Sequence, residues 1–278
     1  MLIRLGYDIR FNVPTPTPMI ALLHVYPPRA KDLLEPDEML TEPAVAIEEY
    51  VDSFGNRCSR LLAETGDIRL HASTLIVDSG LEDPVLPDAC QHAVQELPAD
   101  TLQFLLASRY CEVDLMSNIA MELFGGTEPG WPRVKAICTW VNQKVLFGYP
   151  FARSTRTALD TYTERMGVCR DFQHLAITFC RAMNIPARYA TGYLGDIGVP
   201  ISDTAMDFSA WFEVYLGGGW RTSDARHNRP RIGRVLMAVG RDAADVAITT
   251  SFGNPRLTQF TVVTDEVKEL GKNEAALA

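Results

Sequence analysis

Apolar and polar residues alternate at the start of the chain, with Ile3, Leu5, Tyr7, Ile9, Phe11 and Val13 on one side and Arg4, Asp8 and Arg10 on the other. A period of two predicts a half-buried strand, and Pro14, Pro16 and Pro18 end it. Strand patterns return over residues 19–26, 44–51, 57–63 and 68–77, with turn chemistry at Asp52-Ser53-Phe54-Gly55-Asn56 and at Gly66-Asp67. Short strands separated by turns predict a β-sandwich-like N-terminal domain. Between Pro87 and Pro98 the period changes to helical. Helices are expected over 102–109 and 112–124, the second closed by Gly125-Gly126, and again after Pro129-Gly130-Trp131-Pro132. The predicted division is therefore 1–95 for the β domain and 96–278 for a second, mixed domain.

Gly167-Val168-Cys169 opens the pattern that organises the second domain. Phe172, Leu175, Ala176, Phe179 and Met183 recur at helical spacing and can pack one stripe inward, and Asn184 and Pro186 stop the helix. A cysteine in the first turn lies where free backbone N–H groups and the positive helix end favour negative charge. That placement predicts a lowered thiol pKa and a nucleophilic thiolate. A small apolar filler at a helix start is the competing reading. Asp171 reads as a cap, Cys180 as core, and His174 as pointing to a different side from Cys169. A short helix over 153–163 would deliver the chain to Gly167. Beyond the helix, strands are predicted at 187–193, 208–216 and 220–224, the last two joined by a turn at Gly217-Gly218-Gly219. A loop over 195–207, a helix-like stretch at 235–239, a final strand at 259–264 and a frayed, charged tail complete the reading.

Composition narrows the function classes. The chain has 278 residues, 47% of them apolar and 22% charged, which suits a folded protein with a sizeable core. The net charge of -9, without a basic cluster among aromatics, speaks against nucleic acid as a partner. No apolar run spans a bilayer and the N-terminus is unlike a secretory signal, so a cytoplasmic location without membrane contact is expected. Cys58, Cys90, Cys111, Cys138, Cys169 and Cys180 lack paired spacing, which predicts free thiols and no metal site.

Four pieces occur in a fixed order: Gly167-x-Cys169, Ile185-Pro186-Ala187-Arg188-Tyr189-x-x-Gly192-Tyr193, Ala210-Trp211-Phe212-Glu213-Val214-Tyr215-Leu216, and Gly217-Gly218-x-Trp220-x-x-x-Asp224. Over roughly residues 130–260 this order resembles the transglutaminase-like superfamily of papain-like thiol enzymes. The resemblance implies an α+β fold: an antiparallel β-sandwich-like N-terminal domain, then a papain-like core of helices and an antiparallel sheet. It also implies a cysteine–histidine–aspartate triad, with Cys169 as nucleophile and Asp224 as the acid that orients the imidazole. The implied activity is peptide or amide hydrolysis, or acyl transfer, through a thioester on a peptide or protein amide, with no cofactor.

The family histidine that precedes Ala-Trp is here Ser209, whose hydroxyl cannot serve as a base at neutral pH. With a three-residue turn at 217–219, Leu216 would face Trp220 and Ser209 would face His227. Cross-strand partners have Cβ atoms about 4.5–5.5 Å apart, which makes His227 the candidate base, against a plainer role in pinning a loop. Trp211 and Tyr193 are candidates to line a substrate pocket, with core packing as the alternative. The rival functional class is a pseudoenzyme that binds a peptide or protein segment in the old cleft.

Overall fold

The computed structural model describes residues 1–201 and 206–268. The N-terminal half supplies β1 (Leu2–Val13), β2 (Thr17–Ala21), β3 (Leu40–Glu42), β4 (Ile47–Val51), β5 (Arg57–Ala63) and β6 (Gly66–Val77). Helices follow, α1 (Val113–Phe124) and α2 (Trp131–Lys144), then β7 (Leu146–Phe147), α3 (Ala158–Glu164), β8 (Met166–Gly167) and α4 (Cys169–Ala182). The remainder is β9 (Ala187–Tyr193), β10 (Ser209–Leu216), β11 (Gly219–Ser223), β12 (Val235–Gly240), β13 (Thr249–Ser251) and β14 (Arg256–Val267). This is the α+β class expected from the sequence.

The alternation in β1 does what period two requires. Ile3, Leu5, Ile9 and Val13 are buried in one apolar cluster with Met19, Leu61, Leu70 and Ile76 from the neighbouring strands. Two four-stranded antiparallel sheets, ordered β14-β1-β6-β3 and β13-β2-β5-β4, supply these strands. The expected division near residue 95 follows the chain, but the sheets do not. β14 pairs with β1 along its length and β13 pairs with β2, so the C-terminal strands return to the N-terminal β unit.

Two local expectations change. Residues 235–239 form strand β12 rather than a helix, because Val235, Met237, Ala238 and Val239 are all buried beside β9. A fully buried short strand loses the period-two signature and reads like a piece of buried helix. The helix expected at 102–109 is a 3₁₀ segment, Ala99–Leu105. Residues 202–205 of the expected loop, and the tail after 268, lie outside the described residues.

The central sheet, ordered β11-β10-β9-β12, is sandwiched between the helices and the β unit. Ala210, Phe212, Val214 and Leu216 of β10 pack into the cluster formed with α4, α1 and α2. α4 is buried from Asp171 to Arg181 on every side, more than the single inward stripe that its spacing predicts. Most of its buried polar atoms are accommodated by hydrogen bonds, as burial favours, with His174 Nδ1 left unpaired. Arg181 donates to the carbonyls of Ala187 and Leu106 and to Ser108 Oγ, and Thr178 Oγ1 donates to the His174 carbonyl.

One buried side chain ties the β unit to the central sheet. Asn56 Nδ2 donates to the Val239 carbonyl at 2.8 Å, and its Oδ1 accepts from the Val239 N–H at 2.8 Å. Asn56→Ala would leave both backbone groups buried and unpaired. Each such group costs about 1–3 kcal/mol, so a loss of about 2–6 kcal/mol is expected for the two. It would be measured as a lower urea midpoint at unchanged slope.

Candidate active site

α4 begins at Cys169 because of the residues just before it. A Cβ at Gly167 would lie 2.6 Å from the Asp171 Cβ. The bare glycine leaves room for the Asp171 side chain to fold back, where its Oδ2 accepts from the Val168 N–H at 2.9 Å. Arg170 holds the other carboxylate oxygen at 3.3 Å. The cap fixes Cys169 as the first helical residue, half-buried at the wall of a cavity of about 860 Å³. Asp207, Ser209, Arg226 and His227 share that cavity.

The thiol's ionisation runs against the expectation from the helix start. Burial pushes the Cys169 thiol up to about 11; the Arg226 guanidinium and the Arg170 backbone N–H oppose the rise, while Asp207 and Asp171 add to it. Part of the positive helix end is already taken by the Asp171 carboxylate. The resting sulfur is therefore a protonated thiol at neutral pH and needs a base to remove its proton.

His227 reaches the cavity by a different route from the predicted strand register. The β10–β11 hairpin turns on two residues, Gly217 and Gly218, both at positive φ (57° and 78°), the pair of angles that favours glycine in a tight hairpin. Leu216 consequently pairs with Gly219, Tyr215 with Trp220, and β11 ends at Ser223. Ser209 pairs with Gly192 of β9, not with His227. The chain instead wraps around its own carboxylate. Asp224 Oδ1 accepts from the N–H groups of Arg226 and His227 at 2.9 and 3.0 Å, and the Asp224 carbonyl accepts from Asn228. The same turn carries the His227 Nδ1 to 2.8 Å from Asp224 Oδ2. A carboxylate only accepts, so Nδ1 carries the proton. Nε2 makes no hydrogen bond among the described residues, and His227 lines the cavity onto which Cys169 opens.

Two residues that the sequence reading passed over complete the Asp224 environment. Gln173, one turn along α4 from Cys169, donates to Asp224 Oδ1 and to the Ala210 carbonyl, each at 3.1 Å, and accepts from the Ala225 N–H. It locks α4, β10 and the turn at Asp224 together. Its signal was a polar residue four positions after Cys169, on a helix otherwise apolar on that side. Arg234 donates from Nη2 to Asp224 Oδ2 at 2.8 Å and from Nε to Asp83 at 2.8 Å. Nothing in the local pattern marks it. Burial alone would push the Asp224 carboxyl up, but the His227 hydrogen bond and the Arg234 charge hold it far below the usual carboxylate range.

The remaining candidates separate. Ser209 lines the cavity, and its buried Oγ has no hydrogen-bond partner among the described residues. Trp211 does not line the pocket: it is buried with Ala190 and Val239, beneath the Arg234 guanidinium. Tyr193 is equally a core residue, stacked edge-on against Phe208 in the β-unit cluster. Both lost their expected pocket roles because their faces of the sheet are covered by the β unit. His174 is buried, stacks on Tyr110 and accepts from the Ala243 N–H. His92 accepts from Gly218 N–H at the hairpin turn.

Comparison with known proteins identifies relatives of the chain. A profile of the transglutaminase-like superfamily matches residues 117–225. The crystal structure of a proposed cysteine protease from Cytophaga hutchinsonii is 34% identical, covers 97% of this chain and 91% of its own, and superposes with a TM-score of 0.81. The chain belongs to the transglutaminase-like superfamily. An uncharacterized protein of Mycobacterium leprae (strain TN) is 29% identical over 213 residues, 74% of this chain and 76% of that one. Within this transglutaminase-like chain, the imidazole bonded to Asp224 is contributed by residue 227. Among the described residues, no group of histidine, cysteine and acidic side chains is arranged to hold a metal ion, and no helix is long and apolar enough to cross a membrane. All six cysteines are free thiols.

The high thiol pKa has a measurable sign. Alkylation of Cys169 by iodoacetamide requires the thiolate, so its rate is expected to rise about tenfold per pH unit between pH 7 and 10, without levelling. A plateau already reached near pH 6–7 would instead report a stored thiolate–imidazolium pair.

Proposed function

We propose that this protein is a cysteine-dependent acyl-transfer enzyme, a peptidase or amidase in which Cys169 attacks an amide carbonyl and His227 acts as the base. The observation that carries the reading is the Asp224–His227 pair at 2.8 Å, whose free Nε2 shares one cavity with Cys169. In the first step His227 Nε2 takes the Cys169 proton as the C–S bond forms and the carbonyl π pair moves to oxygen. Backbone N–H groups at the start of α4 are aimed at that oxygen. The tetrahedral species then collapses: the C–N bond breaks and the imidazolium returns its proton to the departing amine. Water, or a second amine, releases the acyl group from the thioester with His227 again as base.

Asp224 contributes without changing its own protonation. Its carboxylate fixes the imidazole tautomer through Nδ1 and stabilises the imidazolium formed in the first step. Gln173 and Arg234 hold the carboxylate against rotation. A thiol of pKa near 11 makes the base indispensable, because almost no thiolate is present at rest.

Hydrolysis of a panel of short peptide amides tests the proposal. Cys169→Ala is expected to abolish turnover, and His227→Ala to lower kcat by about 10²–10⁴. Ser209→His, which restores the family residue, is expected to bring no gain, because the base position is already served from residue 227. A large rise in rate on that substitution, or full activity in His227→Ala, would overturn the assignment.

A further inference from the structure

Two more buried polar atoms behave like Ser209 Oγ, and they belong to residues that line the same cavity. Thr264 Oγ1 and Arg231 Nε are buried without a hydrogen-bond partner among the described residues. Thr264 is 1% exposed and Arg231 is 5% exposed. Buried polar atoms in native proteins are nearly always paired, so an unpaired set calls for an explanation. All three are donors or can donate.

Arg231 and Thr264 are held against the same residue. Arg231 Nη2 donates to the Gly195 carbonyl at 2.9 Å. The Gly195 α-carbon faces Thr264 so closely that a Cβ there would meet the Thr264 carbonyl oxygen at 2.1 Å. The Arg231 guanidinium has an acid, Asp196, at 3.9 Å, beyond hydrogen-bond reach. Burial pushes its pKa down, Arg234 and Arg229 push it down further, and Asp196 and Asp224 oppose the fall. A buried cation so placed has an ion pair with Asp196 but no carboxylate within hydrogen-bond distance among the described residues, and buried ions are normally both paired and hydrogen-bonded. The other acids of the cavity, Asp207, Asp265 and Glu266, are exposed at its edge.

We infer that the Arg231–Thr264 end of the cavity is a carboxylate subsite, so that the preferred substrates are short peptide-like amides carrying a free carboxylate close to the bond that Cys169 attacks. Ser209 Oγ then donates to an acceptor of the same bound chain. A carboxylate supplies the acceptors that the guanidinium and the threonine hydroxyl lack, and arginine recognises it with defined geometry. The volume of about 860 Å³ accommodates a short peptide. This inference rests on the enzymatic reading above for the word substrate, but the subsite itself does not need turnover.

The experiment uses two peptides identical except for their C-terminus, a free carboxylate in one and a carboxamide in the other. Wild-type protein is expected to prefer the carboxylate by about tenfold or more in kcat/KM. In Arg231→Met that ratio is expected to fall toward one, and in Arg231→Lys to fall part of the way. Calorimetry on Cys169→Ala, which cannot turn over, is expected to show binding of the carboxylate peptide and at least tenfold weaker binding of the carboxamide. Equal binding of the two peptides, no binding of either, or a preference for the carboxamide would overturn the subsite. So would an Arg231→Met variant that loses both substrates by the same factor. Selective binding by Cys169→Ala combined with no turnover in the wild type would uphold the subsite and overturn the catalytic reading instead.

Discussion

A single buried carboxylate organises this site. Asp224 receives hydrogen bonds from two backbone N–H groups, the Gln173 amide, the Arg234 guanidinium and the His227 imidazole. A carboxylate removed from water without such partners would take up a proton. With them it stays ionised far into the acid range. Because the folded-state pKa is depressed, the stability it contributes is complete above the ordinary carboxylate pKa of about 4. That contribution is lost only as pH falls through the lower folded value. The partners come from three parts of the chain: α4, the turn after β11, and the segment leading into β12. The charge thereby fixes how these parts sit, and the histidine is placed as one consequence.

The same carboxylate explains how a chain with serine at position 209 carries an imidazole at the site, since it holds the ring of His227. What the chemistry requires is a ring bonded through Nδ1 to a fixed acid, with Nε2 open to the thiol's cavity. Position 209 can offer such a ring from β10; the turn at 224–228 offers one from three residues beyond the acid itself. The second route depends on Asp224 accepting the His227 N–H and side chain together, which only a tight turn permits. Ser209 keeps a hydroxyl inside the cavity wall.

Much of this could be read from the residues, and the failures have physical causes. The alternating strands β1, β5, β6 and β9, the helix at Cys169 and the hairpin glycines carry strong local signals. Gly167 and Asp171 form a local pair whose logic spacing exposes. The pairing of His227 with Asp224 was anticipated only as a neighbourhood, since a three-residue turn was assumed where positive φ at both Gly217 and Gly218 closes a two-residue one. Strand β12 was hidden because burial on both faces erases alternation. The return of β14 to β1, and the meeting of Arg231 with Thr264 at Gly195, are long-range pairings with no periodic trace. The thiol's direction of shift was missed for a related reason: the helix end is legible in sequence, but the burial that outweighs it is not.

The β unit is more than a neighbour of the thiol site. β14 is hydrogen-bonded to β1 throughout, yet Thr264 and the residues after it form one wall of the cavity that Cys169 opens on. Arg231 reaches Gly195, which lies against Thr264. The cavity is thus closed by a strand whose register is set by the first strand of the chain. A shift of one residue in that pairing would turn Thr264 outward and replace it with Asp265 or Val263, since neighbours on a strand face opposite sides. An exposed acid or an apolar side chain there could not supply the donor that faces the cavity now. The N-terminal alternation, which began as a simple strand signal, therefore controls the shape of the pocket at the far end of the fold.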